Sequence, residues 1–135
     1  MTVDDFSRIE RTFAIRLPDV FRRRLSPLPI PQETGNSDTQ VWDDAEKLID
    51  LNRRLRTEVK GWPSWLFVIG RSEGDPCGYA IDTRSQECPV WWLEQMRLGP
   101  SSGPTQGPFD TWFSKWIKDS SEEPNGRSCL WLLFV

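Results

Sequence analysis

The chain has 135 residues, 37% hydrophobic and 27% charged, with a net charge of −3 at pH 7 and no histidine. This length suits one domain with one hydrophobic core, and the interleaved apolar and charged residues are typical of a globular chain. The missing histidine excludes Ser-His-Asp and Cys-His catalytic pairs and histidine-ligated zinc, and the acidic balance argues against direct nucleic-acid binding.

The N-terminal part carries the signals of two helices. In the segment 2–15, Thr2 and Asp5 have the spacing of a capping box, in which each side chain accepts the backbone N–H of the other residue. The apolar stripe of this helix is Phe6, Ile9 and Phe13. Pro18 suits the first turn of a short second helix, where its missing N–H costs nothing. Residues 26–40 are proline-rich and show no hydrophobic periodicity, which predicts a loop. Loops of this length are usually functional or mobile.

The clearest helical pattern spans residues 43–56. Asp43 and Glu46 have capping-box spacing, acidic residues fill the first turn, and arginines fill the last turn, as the helix dipole favours. The inward stripe consists of Ala45, Leu48, Leu51 or Asn52, and Leu55.

Three strand patterns follow, at 65–69, 78–82 and 90–93. The connections between them are short and rich in turn residues, which predicts an antiparallel meander. Trp91 and Trp92 are adjacent in the third strand, so their side chains point to opposite faces of the sheet. We expect one to face the helices and the other to lie on the free face.

An aromatic amphipathic pattern at 109–118 predicts a closing helix, and residues 129–135 are either a final edge strand or a docked tail. We expect Trp65, Trp112 and Trp116 to be core residues, because they fall on apolar faces. The predicted fold is a single α+β domain, with a mostly antiparallel sheet of about four to five strands and helices packed on one side. The domain covers 1–118, and 119–135 is a C-terminal extension.

The chain shows no secretory signal at its N-terminus and no apolar run long enough to span a membrane, so we expect a cytoplasmic protein. Its cysteines are Cys77, Cys88 and Cys129. In the cytosol, three reduced and mostly buried thiols are expected. A disulfide between Cys77 and Cys88 remains an alternative.

Several motifs and their order resemble the SUKH superfamily, which includes the Smi/Knr-like regulators. They lie between about residues 4 and 118. The matching segments are the opening amphipathic helix, Ile15-Arg16-Leu17-Pro18-Asp19-Val20-Phe21, Trp42-Asp43-Asp44-Ala45-Glu46, Trp62-Pro63-Ser64-Trp65-Leu66-Phe67-Val68-Ile69-Gly70, Gly78-Tyr79-Ala80-Ile81-Asp82 and Phe109-Asp110-Thr111-Trp112-Phe113.

The resemblance implies an α+β domain with helices on one side of a mostly antiparallel sheet. Bacterial members are commonly immunity proteins that bind a cognate toxin, and eukaryotic members look like interaction modules. The chain departs from the family pattern in two places. The segment 26–31 replaces the usual asparagine-glycine-glycine turn, and the tail after Lys118 is longer than the family core.

The candidate site residues are tryptophans, a tyrosine and acids near strand ends and a helix start. Tryptophan and tyrosine are frequent interface hot spots, and an acidic rim around the sheet would attract a basic partner. Capping and solvated turns are the structural alternatives for the acids. The partner-binding candidates are Trp42, Asp43, Asp44, Glu73, Asp75, Tyr79, Asp82, Trp92 and Glu94.

Enzyme chemistry has weak support in this sequence. Asp75 with Asp82, or Asp43 with Asp44, offer the residue types of a carboxylate pair, but nothing fixes their separation. We therefore predict a non-enzymatic immunity protein, without cofactor or metal, that covers the active surface of a protein toxin such as a basic nuclease. We expect no direct contact with nucleic acid or membrane. The alternative is a protein-interaction module in a regulatory assembly.

Overall fold

The computed structural model describes residues 1–26, 41–71 and 76–122. Within these ranges the chain forms four α-helices and a three-stranded antiparallel sheet. The predicted α+β class is confirmed, and the described sheet has fewer strands than the four to five expected. Residues 27–40 of the predicted loop and residues 123–135, which include the predicted edge strand or docked tail, lie outside the described part.

The helices are α1 (Val3–Phe13), α2 (Asp19–Leu25), α3 (Ala45–Glu58) and α4 (Phe109–Glu122). The strands are β1 (Leu66–Arg71), β2 (Gly78–Asp82) and β3 (Val90–Leu93), and a short 3-10 turn (Glu94–Met96) follows β3. Helix α4 continues to Glu122 and is therefore longer than the 109–118 pattern predicted.

Capping fixes the starts of two helices. The Thr2 hydroxyl accepts the Asp5 N–H at 3.1 Å, and the Asp5 carboxylate accepts the Thr2 N–H at 2.9 Å, so the predicted capping box of α1 is confirmed. The cap of α3 is Asp44 and not Asp43: the Asp44 carboxylate accepts the Lys47 N–H at 3.2 Å. Helix α3 therefore starts and ends slightly later than the 43–56 pattern predicted.

The strands lie in the order β1-β2-β3, as the meander prediction required. The β1–β2 ladder has a bulge between Val68 and Gly70, where the register shifts by one residue. Gly78 lies against this bulge: a Cβ atom added there would stand 2.6 Å from the Gly70 carbonyl oxygen. Only glycine fits this position without a shift of the backbone.

One face of the sheet is covered by helices, and we call it the helix face. Phe67, Ile69, Tyr79, Ile81 and Val90 project from it into a core shared with α1, α2 and α4. Aromatic rings make up much of that core. The helical residues of the core include Phe6, Ile9, Phe21, Phe109, Phe113 and Trp116.

The opposite face carries a smaller apolar cluster, and we call it the open face. Leu66, Val68, Ala80 and Leu93 project from its strands. Leu51 and Leu55 of α3, together with Met96, cover part of it. Half-buried side chains form its border, namely Trp42, Val59, Trp62, Trp65 and Trp91.

Helix α3 lies along the β1 edge of the sheet and packs against both faces. Its residues Leu48 and Ile49 belong to the core of the helix face, whereas Leu51 and Leu55 belong to the open face. The expectation that helices pack on one side thus holds for α1, α2 and α4 but not for α3. The inward position left open between Leu51 and Asn52 is filled by both residues, which are 4% and 0% exposed.

The backbone groups along the β1 edge find partners outside the sheet. The Asn52 amide bonds both the N–H and the carbonyl of Val68, and the Trp42 N–H donates to the Ile69 carbonyl at 2.9 Å. The Trp62 indole donates to the Leu66 carbonyl at 2.9 Å. These contacts block a strand edge that would otherwise be open to further pairing.

The β3 edge is covered by the chain segment 103–107. The N–H and carbonyl of Trp92 pair with Gly103, and those of Val90 pair with Gly107 and Gln106. Both edges of the described sheet therefore have hydrogen-bond partners.

The cysteines depart from expectation. Cys88 is a free, buried thiol, whereas Cys77 is disulfide-bonded. The two do not pair with each other, so the Cys77–Cys88 alternative is wrong, and so is the expectation that all three thiols are reduced. Cys129 lies outside the described residues.

Candidate binding surface

The predicted candidates around the start of α3 have mainly structural contacts. Trp42 is half-buried and packs against both apolar clusters. Asp44 is exposed and caps the helix through the Lys47 N–H. Asp43 is half-buried and lies between the two.

Tyr79, Trp92 and Glu94 form a connected group at the helix face. The Tyr79 ring is nearly buried and meets the Trp92 ring edge-on, with the ring centroids 5.3 Å apart. The Trp92 indole N–H donates to the Glu94 carboxylate at 3.0 Å. Trp112 of α4 closes the group, with its ring centroid 4.7 Å from that of Tyr79.

The structure resolves which way the two adjacent tryptophans point. Trp92 packs with the core of the helix face, and Trp91 packs with the cluster of the open face. The prediction that they point to opposite faces is confirmed. The tryptophan of the open face, however, is Trp91, which was not among the predicted site residues.

Asp82 lies at the other end of the sheet. The residue is only 8% exposed. Its carboxylate accepts the Nε–H of Arg84 at 3.0 Å and the Nη2–H of Arg84 at 2.8 Å. The hydrogen bonds from the Arg84 side chain hold the pKa of the Asp82 carboxyl below its usual value, and burial opposes them only in part. The Asp82 carboxylate is therefore charged and already paired with Arg84.

The described acids of the predicted rim do not form one compact group. Gly78 pairs with Leu93 at one end of the β2–β3 ladder, so Glu94 lies at that end and Asp82 at the opposite one. Asp44 is occupied by its helix cap. Glu73 and Asp75 lie outside the described residues.

A compact group on the open face combines the residue types that dominate protein interfaces. The Arg84 guanidinium lies over the Trp65 ring, 3.6 Å from its centroid. The Trp65 ring meets the Trp91 ring edge-on, with centroids 5.8 Å apart. We call Trp65, Arg84 and Trp91 the Trp-Arg cluster. Both tryptophans are half-buried, and the Arg84 side chain is 58% exposed.

The strand ends hold this cluster in place. The N–H and hydroxyl of Thr83 both donate to the Trp65 carbonyl, at 3.0 and 2.7 Å. Asp82 fixes the guanidinium plane through two parallel hydrogen bonds, which orients arginine more strictly than a single contact. The group is thus ordered before any partner arrives.

Sequence reasoning missed two members of the cluster and misplaced the third. Trp65 was expected in the core and is half-buried instead, while Arg84 stood in a turn without any visible signal. Trp116 is buried as expected, whereas Trp112, like Trp65, is half-buried.

The same ranges also bear on metal binding, membrane insertion and thiol chemistry. The described residues hold no cluster of three or more cysteine or acidic side chains placed to bind a metal ion. None of the helices in these ranges combines the length and apolarity that crossing a bilayer requires. Burial raises the pKa of the Cys88 thiol to about 12, with a smaller contribution from the Asp82 charge, so this thiol is a poor nucleophile.

Comparison with known proteins gives no match: no protein-family model, no curated protein and no solved structure corresponds to this chain. The resemblance to the SUKH superfamily therefore stays a prediction made from the sequence motifs.

Proposed function

We propose that this chain is a protein-binding module that neutralises a protein toxin by covering the toxin's active surface. The observation that carries the proposal is the Trp-Arg cluster, in which Arg84 stacks on Trp65 at 3.6 Å beside Trp91. The binding surface is the part of the open face that this cluster occupies. The toxin as partner rests on the motif resemblance given above.

The composition of the cluster suits protein recognition. Tryptophan and arginine are enriched among the few interface residues that contribute most of the binding energy, because each combines a large contact area with polar donors. Arg84 directs its Nε and Nη2 groups toward Asp82. Its Nη1 group has no acceptor among the described residues, and it is available to a carbonyl or carboxylate of a partner.

The order of the cluster also favours tight binding. A free arginine side chain loses rotamer freedom when it enters an interface, at a cost of about 0.5–1.5 kcal/mol. Asp82 and Trp65 already hold Arg84 on two sides, so much of that cost is met within the folded chain. The proposal therefore depends on this aromatic and cationic surface more than on acidic steering of a basic nuclease.

The test is a survival assay combined with co-purification. The candidate toxin encoded by the adjacent gene is expressed with the wild-type chain, with Trp91→Ala and with Trp92→Ala. The two tryptophans are neighbours in β3 and both half-buried, but they lie on opposite faces. Trp92→Ala is therefore a matched control for the loss of an indole ring, and thermal unfolding verifies that both variants fold.

The proposal expects rescue and a stable complex with wild type and with Trp92→Ala, and loss of both with Trp91→Ala. A complex without rescue assigns the chain to a regulatory interaction module instead. Equal binding by both variants contradicts the assignment of the surface to the open face. Absence of both rescue and complex with the wild-type chain contradicts the toxin as partner.

A further inference from the structure

A concave site lies beside α3, away from the Trp-Arg cluster. Its volume is about 270 Å³, close to the lower end of the range for small-ligand pockets. Its lining residues are Trp42, Lys47, Asp50, Leu51, Arg54 and Arg71. Arg71 is the last residue of β1, whereas Trp65 and Arg84 lie near the other end of β1, beside the Leu66–Asp82 pair. The pocket and the Trp-Arg cluster are therefore separate sites.

The charge of this pocket is opposite to that of the chain. Three of its lining side chains are cations and one is a carboxylate, whereas the whole chain has a net charge of −3. Positive groups gathered in a concavity raise the local concentration of anions. The charge of the lining therefore suits an anionic ligand.

The two arginines of the pocket form no ion pair with another residue in the described part of the chain. Among the described residues, ion pairs occupy Arg8, Arg22, Arg24 and Arg84, and neither Arg54 nor Arg71 is included. An unpaired guanidinium offers a planar set of donors that matches a carboxylate or a phosphate. Arg54 comes from α3 and Arg71 from β1, so the pocket presents donors from two elements.

Trp42 and Leu51 form the apolar part of the wall, and the Asp50 carboxylate is its one anionic group. Leu51 is only 4% exposed and forms part of the base, and the half-buried Trp42 ring stands beside it. The Lys47 ammonium lies 6.0 Å from the centroid of that ring. A flat apolar group can pack on Trp42 while its charged end faces the arginines.

We propose that this pocket binds a small organic oxyanion, a phosphate or carboxylate group carried on a flat ring. Trp42 and Leu51 contact the ring, and Arg54, Arg71 and Lys47 bind the oxyanion. The two candidate oxyanions share this chemistry, and separate probes distinguish them. The proposal goes beyond the proposed function and does not depend on the identity of a toxin.

Isothermal titration calorimetry on the full chain tests the site with four probes: phenyl phosphate, benzoate, inorganic phosphate and phenol. Phenyl phosphate or benzoate is expected to bind with at least tenfold higher affinity than inorganic phosphate or phenol, since neither of the latter offers both ring and anion. Whichever of the two ring-bearing anions binds more tightly identifies the oxyanion. Failure of both to bind overturns the proposal.

Arg54→Gln provides the residue-level test, and Arg53→Gln is its control. Both are exposed arginines on the same helix, so both variants remove one charge at little cost in stability, but only Arg54 lines the pocket. Loss of a charge-assisted contact in Arg54→Gln lowers affinity about tenfold. Arg53→Gln leaves it nearly unchanged. An equal loss in both variants means that the probes sense net charge only, and it contradicts the site.

Discussion

The side-chain amide of Asn52 pairs with the backbone of Val68 in the way a neighbouring β-strand would. Its Nδ2 donates to the Val68 carbonyl at 2.9 Å, and its Oδ1 accepts the Val68 N–H at 2.7 Å. Nδ2 also donates to the Leu48 carbonyl at 2.8 Å, and the residue is fully buried. One amide thus joins α3 to the edge of β1 and satisfies two backbone groups of Val68 in a fully buried position.

Replacing Asn52 with alanine is expected to destabilise the fold by about 2–4 kcal/mol, because a buried N–H and a buried carbonyl lose their partner together. Asn52→Asp is expected to be similarly harmful, since a carboxylate cannot donate to the Val68 carbonyl and its charge is buried. Urea unfolding monitored by circular dichroism measures both. Arg53→Ala, on the exposed side of the same helix, should change stability by no more than about 0.5 kcal/mol. A similar loss in that control would refute the specific role of Asn52.

Gly78 lies so close to the Gly70 carbonyl oxygen that any larger residue is expected to destabilise the fold. Gly78→Ala places a Cβ atom 2.6 Å from the Gly70 carbonyl oxygen and 3.1 Å from the Arg71 Cβ, so the backbone has to move. We expect a loss of about 1–3 kcal/mol, as for other overpacked sites. Gly99→Ala is the control, because its added Cβ would meet nothing within 4 Å. Equal midpoints of thermal unfolding for the two variants would contradict this prediction, because they would mean that the β1–β2 ladder accommodates the added Cβ atom without cost.

The pairing of Asp82 with Arg84 predicts a pH-dependent contribution to stability. Because the folded-state pKa of Asp82 is lowered, its contribution is present above the usual aspartate pKa and disappears as the pH falls through the lowered value. At pH 7, Asp82→Asn should be less stable than wild type by about 1 kcal/mol, a modest figure since Arg84 is more than half exposed.

The coupling is verified in a double-mutant cycle. With Arg84→Ala as background, the effect of Asp82→Asn at pH 7 should shrink, since the partner that lowers the pKa is gone. Unfolding free energies from pH 2 to pH 7 give both quantities. A wild-type advantage that stays constant down to pH 2 would contradict the assignment of the pKa shift to this pair.

Cys88 is expected to be inert while the chain is folded. Its thiol is buried, and its pKa is raised to about 12, so the reactive thiolate is scarce near neutral pH. At pH 8, iodoacetamide should leave Cys88 unmodified in buffer and should alkylate it in concentrated urea, as measured by peptide mass spectrometry. Fast alkylation under native conditions would mean that the thiol is accessible.

The raised pKa of Cys88 also predicts how the stability of the fold changes at alkaline pH. The folded state binds the Cys88 proton more tightly than the unfolded state, so this group favours folding below the usual thiol pKa. That contribution is lost as the pH rises toward about 12. The stability of Cys88→Ala relative to wild type should therefore improve between pH 8 and pH 11. A constant difference over this range would contradict the shift.

The local elements of the fold were visible in the sequence. The Thr2 capping box, the Gly78–Asp82 strand and the Val90–Leu93 strand all stand where their patterns placed them. These signals depend on residues within a few positions of one another, where spacing alone determines the geometry. The start of α3 was missed by a residue or two, because Asp43 and Asp44 both suit a cap and only the folded chain selects one.

Long-range relationships were not visible. Nothing near Asn52 indicated that its amide pairs with a strand sixteen positions later, or that segment 103–107 covers β3. The pattern of Leu51 and Asn52 left one inward position to choose, and a helix at a sheet edge uses both.

The candidate surface was predicted only in part. The alternation of Trp91 and Trp92 required that one of them lie on the free face, but period alone does not distinguish the two faces. The answer depends on which side the helices pack, and that is a property of the whole chain. The role of Arg84 could not be predicted for another reason. Its position over the Trp65 ring depends on the conformation of the turn that follows β2.

The occupied edges of the described sheet have a consequence for how specificity can change in evolution. With β1 paired to side chains of α3 and β3 paired to segment 103–107, an incoming peptide has no free main-chain ladder there to extend. Recognition through this sheet has to use side chains on its surfaces. Side chains can be exchanged one at a time without disturbing the hydrogen-bonded frame, so the surface of this sheet can change while its architecture stays the same.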